Sequence, residues 1–206
     1  MKKIVLAALV CTCLAAPAWA DPTFGFYKLT NNNVENLSSQ LSVVVSDAGS
    51  NQVLFKFFNN VGIASSITDV YFDDGTLLGI ATITSSAGVA FDDPATPGNL
   101  PSGNTASPPF MTTANFSADS DTPIMANGVN SASEWLGITF NLINGKTYAD
   151  TLAALGDGSL RIGLHVQAIG TTGGSDSYVN VVPVPGAVLL GFLGLGYAGM
   201  RLRREV

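Results

Sequence analysis

Hydrophobic and polar positions alternate with period two over much of the chain. In residues 52–58, Val53, Phe55 and Phe57 fall on one face and Lys56 on the other, the spacing of a half-buried strand. Residues 40–47 carry a second β-rich run, joined to the first by Ala48-Gly49-Ser50-Asn51. Two such runs about a Gly-containing turn predict a hairpin. Residues 66–72 and 77–83 flank Asp73-Asp74-Gly75 and predict a second hairpin, since Asp and Gly tolerate positive φ. Residues 89–91 form a short run. Residues 135–142 alternate again, as do residues 160–167, with Leu160, Ile162, Leu164 and Val166 inward. Residues 147–155 are helix formers, with Gly156 as the stop. About eight short strands separated by turns predict an all-β body. The expected form is a jelly-roll-like two-sheet β-sandwich with one short helix over an end. Residues 92–113 fit no element and hold five prolines. A loop of that length in a compact domain is functional or disordered. No internal repeat of fixed period occurs, which gives no support to a solenoid or adhesin array.

The two extremities follow other patterns. Met1-Lys2-Lys3 precedes an uncharged run from Ile4 to Ala16, and Ala18-Trp19-Ala20 then leads to Asp21. A positive start, a short apolar run and a small-x-small site predict a signal peptide over residues 1–20, cut by signal peptidase after Ala20. Cys11 and Cys13 both lie inside it. The mature chain is thus expected to have no disulfide, no thiolate nucleophile and no Cys-ligated zinc. Cys11 makes a poor lipoprotein cysteine, because Ala8-Leu9-Val10 lacks the small residue wanted just before it. At the other end, Val181-Val182-Pro183-Val184-Pro185-Gly186 leads into the apolar residues 187–200, followed by Arg201, Arg203 and Arg204. With one flanking residue counted at each end, some sixteen residues reach only about 24 Å as a helix, short of the ~30 Å hydrocarbon core. Snorkelling arginines offset part of the deficit. A single hydrophobic helix of this length suits a temporary anchor. The arginines hold the C-terminus on the cytoplasmic side and leave residues 21–182 outside the inner membrane.

Composition narrows the chemistry. The formal net charge is −6, and charged residues are 12% of the chain. Without its two extremities the chain keeps only Lys28, Lys56, Lys146 and Arg161 against fourteen acidic residues, a net charge near −10. Such a surface argues against nucleic acid, which needs clustered Lys and Arg. It also repels anionic polysaccharide unless divalent cations bridge the two. Asp73-Asp74, Asp92-Asp93 and Asp119-x-Asp121 are compact oxygen clusters, and calcium prefers six to eight oxygens. They are candidate calcium ligands, although no EF-hand pattern is present. Asp also ends strands and caps turns. His165 is the only histidine; with no Gly-x-Ser-x-Gly elbow, it is read as structural, on the outward face of its strand. Glu35 and Glu134 are the only glutamates of the body, and each sits in a polar stretch, which gives little support to paired-carboxylate glycoside hydrolysis. Trp135, Tyr71, Phe72 and Tyr178 are candidates for a sugar-stacking platform, set against the core that alternation expects for most aromatics.

The tail resembles a PEP-CTERM sorting signal, with its short Pro motif, single hydrophobic helix and Arg-rich end. That motif often reads Val-Pro-Glu-Pro; here Val182-Pro183-Val184-Pro185-Gly186 is a variant with Val184 in place of Glu. The resemblance implies recognition by an exosortase, a membrane transpeptidase-like protease, in a Gram-negative bacterium that makes exopolysaccharide. It also implies a cut near the motif and release or anchoring at the cell surface. The body resembles other bearers of such tails in residues 70–75, 116–121 and 160–167, a similarity that implies a common exported body and no catalytic residue. The expected organisation is a signal peptide (1–20), a β-sandwich body (21–180) and a sorting signal (181–206). The expected role is a non-enzymatic component of the cell surface or exopolysaccharide matrix. The alternatives are a carbohydrate-binding module, with or without calcium assistance, and a secreted carboxylate-dependent hydrolase.

Overall fold

The computed structural model describes residues 20–73, 78–113 and 116–182. Ten strands are present: β1 (Thr23–Lys28), β2 (Leu41–Gly49), β3 (Gln52–Asn59), β4 (Ser66–Asp73), β5 (Leu78–Ser85), β6 (Phe91–Asp92), β7 (Ser117–Ser120), β8 (Leu136–Leu142), β9 (Arg161–Ile169) and β10 (Gly174–Asn180). Two helices, α1 (Ile124–Asn127) and α2 (Tyr148–Asp157), accompany them. The all-β expectation therefore holds, with a single-turn α1 beyond the one helix foreseen.

The strands form one antiparallel sheet in the order β5-β8-β3-β2-β1-β10-β9-β4-β7-β6, curled until it nearly closes. β1 makes the bend. Its first half pairs with β2, Thr23 opposite Val44, and its second half pairs with β10, Phe26 opposite Asn180. Phe24 and Phe26 point inward from either side of this bend. The two halves of the sheet meet over an aromatic core. Phe72 of β4 stands 5.1 Å from Phe55 of β3 and 4.6 Å from Phe140 of β8, both edge to face. Aromatic quadrupoles favour this geometry over face-to-face stacking.

The β2–β3 hairpin is present as the pattern predicts, with Val43 opposite Phe57 and Val45 opposite Phe55. The second predicted hairpin is not. β4 pairs with β9 and β7, whereas β5 pairs with β8. The chain after Asp73 therefore passes from one half of the sheet to the other. Local turn chemistry marks a change of direction but does not choose the strand's partner. α2 starts on the capping box of Thr147 and Asp150. It runs through Gly156 and ends at Gly158, whose φ of 80° is the left-handed conformation that glycine takes most readily. α2 packs on the core through Leu155, and its Tyr148 hydroxyl donates to the Val45 carbonyl at 2.9 Å.

Residues 93–111 are neither a mobile excursion nor a strand. They lie along the outer face of β10-β9-β4-β7 and bury a second, smaller apolar cluster of Leu100, Ala106 and Phe110 over Tyr71 and Val179. Gly163 makes this approach possible. A Cβ there would come within 2.9 Å of Leu100 and 3.1 Å of Phe110. Among the described residues no helix is long and apolar enough to cross a membrane.

Candidate functional site

The outer face of the sheet carries two groups of side chains with usable chemistry, one under the Pro-rich segment and one open. The first is set by strand register. Asp92, Asp119, Asp69, His165 and Ser177 stand opposite one another in a row across β6, β7, β4, β9 and β10. His165 Nδ1 lies 3.0 Å from Asp69 Oδ2, which also accepts the Thr68 hydroxyl at 2.7 Å. The Tyr71 hydroxyl is 3.3 Å from Asp69 Oδ1 and 3.1 Å from the Pro97 carbonyl. Burial pushes the Tyr71 phenol up, and the Asp69 charge pushes it further.

The Pro-rich segment is pegged down along this row. Thr96 N–H donates to Asp119 Oδ2 at 3.0 Å and Ala95 N–H to Ser117 Oγ at 3.1 Å. Ser177 Oγ donates to the Pro101 carbonyl at 2.6 Å. Arg161 donates to the carbonyls of Pro108 and Pro109, both at 2.6 Å, and lies over the Phe110 ring. The buried Ser177 hydroxyl is committed to a carbonyl beneath the segment. The row of Ser, His and Asp thus reads as an attachment line for the segment. His165 is outward on its strand, as the alternation predicts, and is covered by what lies above it.

Asp119 carries the clearest electrostatic cost. Burial raises its carboxyl above the ordinary value, the Thr96 N–H opposes the rise, and the charges of Asp69 and Asp121 add to it. The sign follows from linkage. A carboxyl that binds its proton more tightly in the folded state penalises folding fully above its folded pKa. The penalty fades as pH falls toward the unfolded value. Asp119→Asn keeps an acceptor for Thr96 and removes the charge. It is expected to raise the melting temperature at pH 7, by roughly 2–4 °C for each kcal/mol relieved, and to bring no advantage at pH 3. Thermal melts at the two pH values test this; equal gains at both would refute the assignment.

The five described candidate calcium ligands are not gathered into one group. Asp73 is ion-paired with Arg161 and accepts the Met111 N–H at 3.3 Å. Asp92 and Asp119 face each other across β6 and β7, with Asp93 exposed beside them and Asp121 just past the end of β7, its N–H donating to the Ala90 carbonyl at 3.0 Å. Asp74 lies outside the described residues. Among the described residues no group of three or more His, Cys, Asp or Glu side chains is placed to hold a metal ion. Glu134 caps the backbone N–H groups of Asn130 and Ser131 at 2.8 and 3.1 Å. Of the processing residues, Ala20 and Asp21 are exposed, and Asp21 Oδ2 accepts the Ser46 hydroxyl at 2.6 Å. Val182 is exposed. Ala18, Pro183, Val184, Pro185, Gly186, Arg201, Arg203 and Arg204 lie outside the described residues.

The second group sits on the other half of the sheet. Tyr71, Phe72 and Tyr178 are fully buried, so of the four aromatic candidates only Trp135 reaches an outer face. Its backbone N–H donates to Ser86 Oγ at 2.9 Å, and its carbonyl accepts the Ser86 N–H at 3.0 Å. The indole lies beside Gly137, where a Cβ would stand 3.3 Å from the ring. Lys56 Nζ is 4.0 Å from the indole centroid and 5.5 Å from that of Phe58. The alternation of β3 fixes this arrangement: Val53, Phe55 and Phe57 enter the core, so Leu54, Lys56 and Phe58 must leave it. The result is a half-buried aromatic surface with a cation at its centre. No family model, curated protein or solved structure matches the chain.

Proposed function

We propose that the chain is exported, trimmed at both ends and incorporated as a non-enzymatic component of the cell surface or exopolysaccharide matrix, with an exosortase as its processing partner. The carrying observation is the tail itself: a Pro motif, a short apolar stretch and Arg201, Arg203 and Arg204 within a few residues of Val206. The body supports this reading. Its first strand begins two residues after Asp21 and its last ends at Asn180, three residues before Pro183. The strands thus stop just short of each expected cut. We take the body as a jelly-roll-like sandwich whose two layers are the halves joined at β1. Mass spectrometry of the protein recovered from surface material is expected to find a start at Asp21 and an end between Pro183 and Gly186. Recovery of chains that keep Arg201 to Val206 would count against exosortase processing.

A second reading, carbohydrate binding, is favoured by the open Trp135–Lys56 surface. Calcium assistance would require Asp92, Asp93, Asp119 and Asp121 to be completed by further oxygens. Calorimetric titration of the purified protein with calcium tests that part; saturable heat at micromolar to millimolar calcium supports it, and its absence removes calcium from the proposal.

A further inference from the structure

We propose that the outer face around Lys56 and Trp135 binds an acidic polysaccharide of the uronate class. This rests on the matrix role proposed above and names its partner. Lys28 and Arg161 are each committed to a carboxylate, Asp176 and Asp73 respectively. Lys56 is not: among the described residues no carboxylate lies within ion-pair distance of it, and its ammonium rests on indole instead.

The surroundings of Lys56 are neutral. The row through it reads Thr23, Val44, Lys56, Gly137 and Thr84 across β1, β2, β3, β8 and β5. The next row reads Ser46, Leu54, Thr139 and Thr82. Neither contains an acidic residue; Asp21 touches the rim through Ser46. In a body of net charge near −10, this is a neutral field with one cation at its centre. Lys146, exposed and likewise in no ion pair among the described residues, stands near the Asp150 carboxylate, which it stabilises, whereas the rows about Lys56 carry no acid, so charge favours docking of a polyanion on this face.

The chemistry fits a hexuronate ring. The indole offers an apolar plane for the C–H face of a sugar, and the ammonium offers a partner for the ring carboxylate. Exposed Thr82 and Thr84 hydroxyls flank the site as hydrogen-bond partners for sugar hydroxyls. The long lysine stem lets the ammonium swing from the ring to a carboxylate while Ser86 holds the Trp135 backbone in place. A neutral glycan would gain the plane but would leave the cation without a counterion.

Trp19 and Trp135 are the only tryptophans, so the full chain carrying Trp19→Phe reports on the site alone. Titration with hexagalacturonate, without added calcium, is expected to give a saturable shift in Trp135 emission. Lys56→Met should weaken binding about tenfold or more, the scale of one lost charge-assisted contact. Trp135→Ala should abolish binding measured by calorimetry, and added salt should weaken it. Cellohexaose should give no shift. Equal binding of cellohexaose, binding unchanged in a folded Lys56→Met, binding that appears only with calcium, or no saturable shift at millimolar hexagalacturonate would each overturn the assignment. Failure here, with a protein trimmed at both ends and recovered from the matrix, removes this site and leaves the matrix role. An untrimmed protein in the cytosol removes the role itself.

Discussion

Asp176→Ala is expected to cost about 3–5 kcal/mol, the range for breaking a buried ion pair from one side. Asp176 is fully shielded from solvent, and Lys28 Nζ reaches its Oδ2 at 3.1 Å from a nearly buried position. The carboxylate also accepts from Thr30 Oγ1 and Asn32 N–H, both at 2.8 Å, and from the Asn33 N–H and side-chain amide at 3.2 and 2.9 Å. Lys28 in turn donates to the carbonyls of Asn33 and Glu35 at 2.6 and 2.8 Å. Residues 28–35 are therefore wrapped on one carboxylate. Removing it leaves a shielded ammonium and several donors unpaired. Denaturant titration at pH 7 measures the loss; a change below about 1 kcal/mol would show that water replaces the carboxylate. The pH dependence has a definite sign. Burial alone would raise the Asp176 carboxyl, but hydrogen bonds from Asn33, Asn32, Thr30 and Lys28 outweigh it and hold the group below its ordinary value. Its contribution is complete above the unfolded value of about 3.9 and disappears as pH falls through the lower folded value. The alanine variant should therefore lose its disadvantage in strong acid.

The core is expected to be as sensitive at Phe72. Its ring is fully buried, and it stands 5.1, 6.2 and 4.6 Å from Phe55, Phe57 and Phe140. Those three belong to the other half of the sheet, so Phe72 joins the halves rather than one strand to the next. Phe72→Ala should cost roughly 3–5 kcal/mol through lost transfer energy and the cavity left behind. Phe72→Leu should cost less because it keeps much of the volume. Phe58→Ala, on the outer face of β3, should cost well under half of the Phe72→Ala value. Similar losses at Phe58 and Phe72 would mean that the two halves do not depend on this contact.

These two sites differ in how far sequence pattern reveals them. The inward positions of β2, β3, β8 and β9 are legible because one face is apolar and the other is not. β4 is legible as a strand, but its burial on both faces is not, because residues 93–111 cover its outer side. That cover leaves no periodic trace: Leu100, Ala106 and Phe110 are spaced irregularly among prolines. β7 and β10 escape the pattern for a different reason. Asp176, Ser177 and Asn180 are polar and yet buried, each with a specific partner that lies far away in sequence. A hydrophobicity count reads such a strand as a loop. β1 did carry a usable signal, with Phe24 and Phe26 two residues apart, but its length and its glycine make it brief.

The candidate sites divide in the same way. Trp135 and Lys56 each stand out by rarity, but only the β3–β8 register, with Lys56 opposite Gly137, brings them together. The acidic pairs stand out by adjacency along the chain. Asp92 is the last residue of β6 and Asp93 already lies beyond it, and Asp73 is taken by Arg161. Adjacency in sequence is a weak guide to convergence in a β-protein, where the partners that matter lie across strands.

The seam between β1 and β10 has a kinetic meaning. Phe26 faces Asn180, and the Val181 N–H donates to the Gly25 carbonyl at 2.9 Å. The earliest strand of the body is thus zipped to the latest. A polypeptide delivered across a membrane from its N-terminus must wait with β1 half-paired until all the intervening chain has emerged. Closing so long a loop makes the final zipping slow. Under the export and processing proposed above, a membrane-held tail would keep the unfinished sheet in place during that wait, and cutting just beyond β10 would then release a nearly closed sheet whose last seam is already shut.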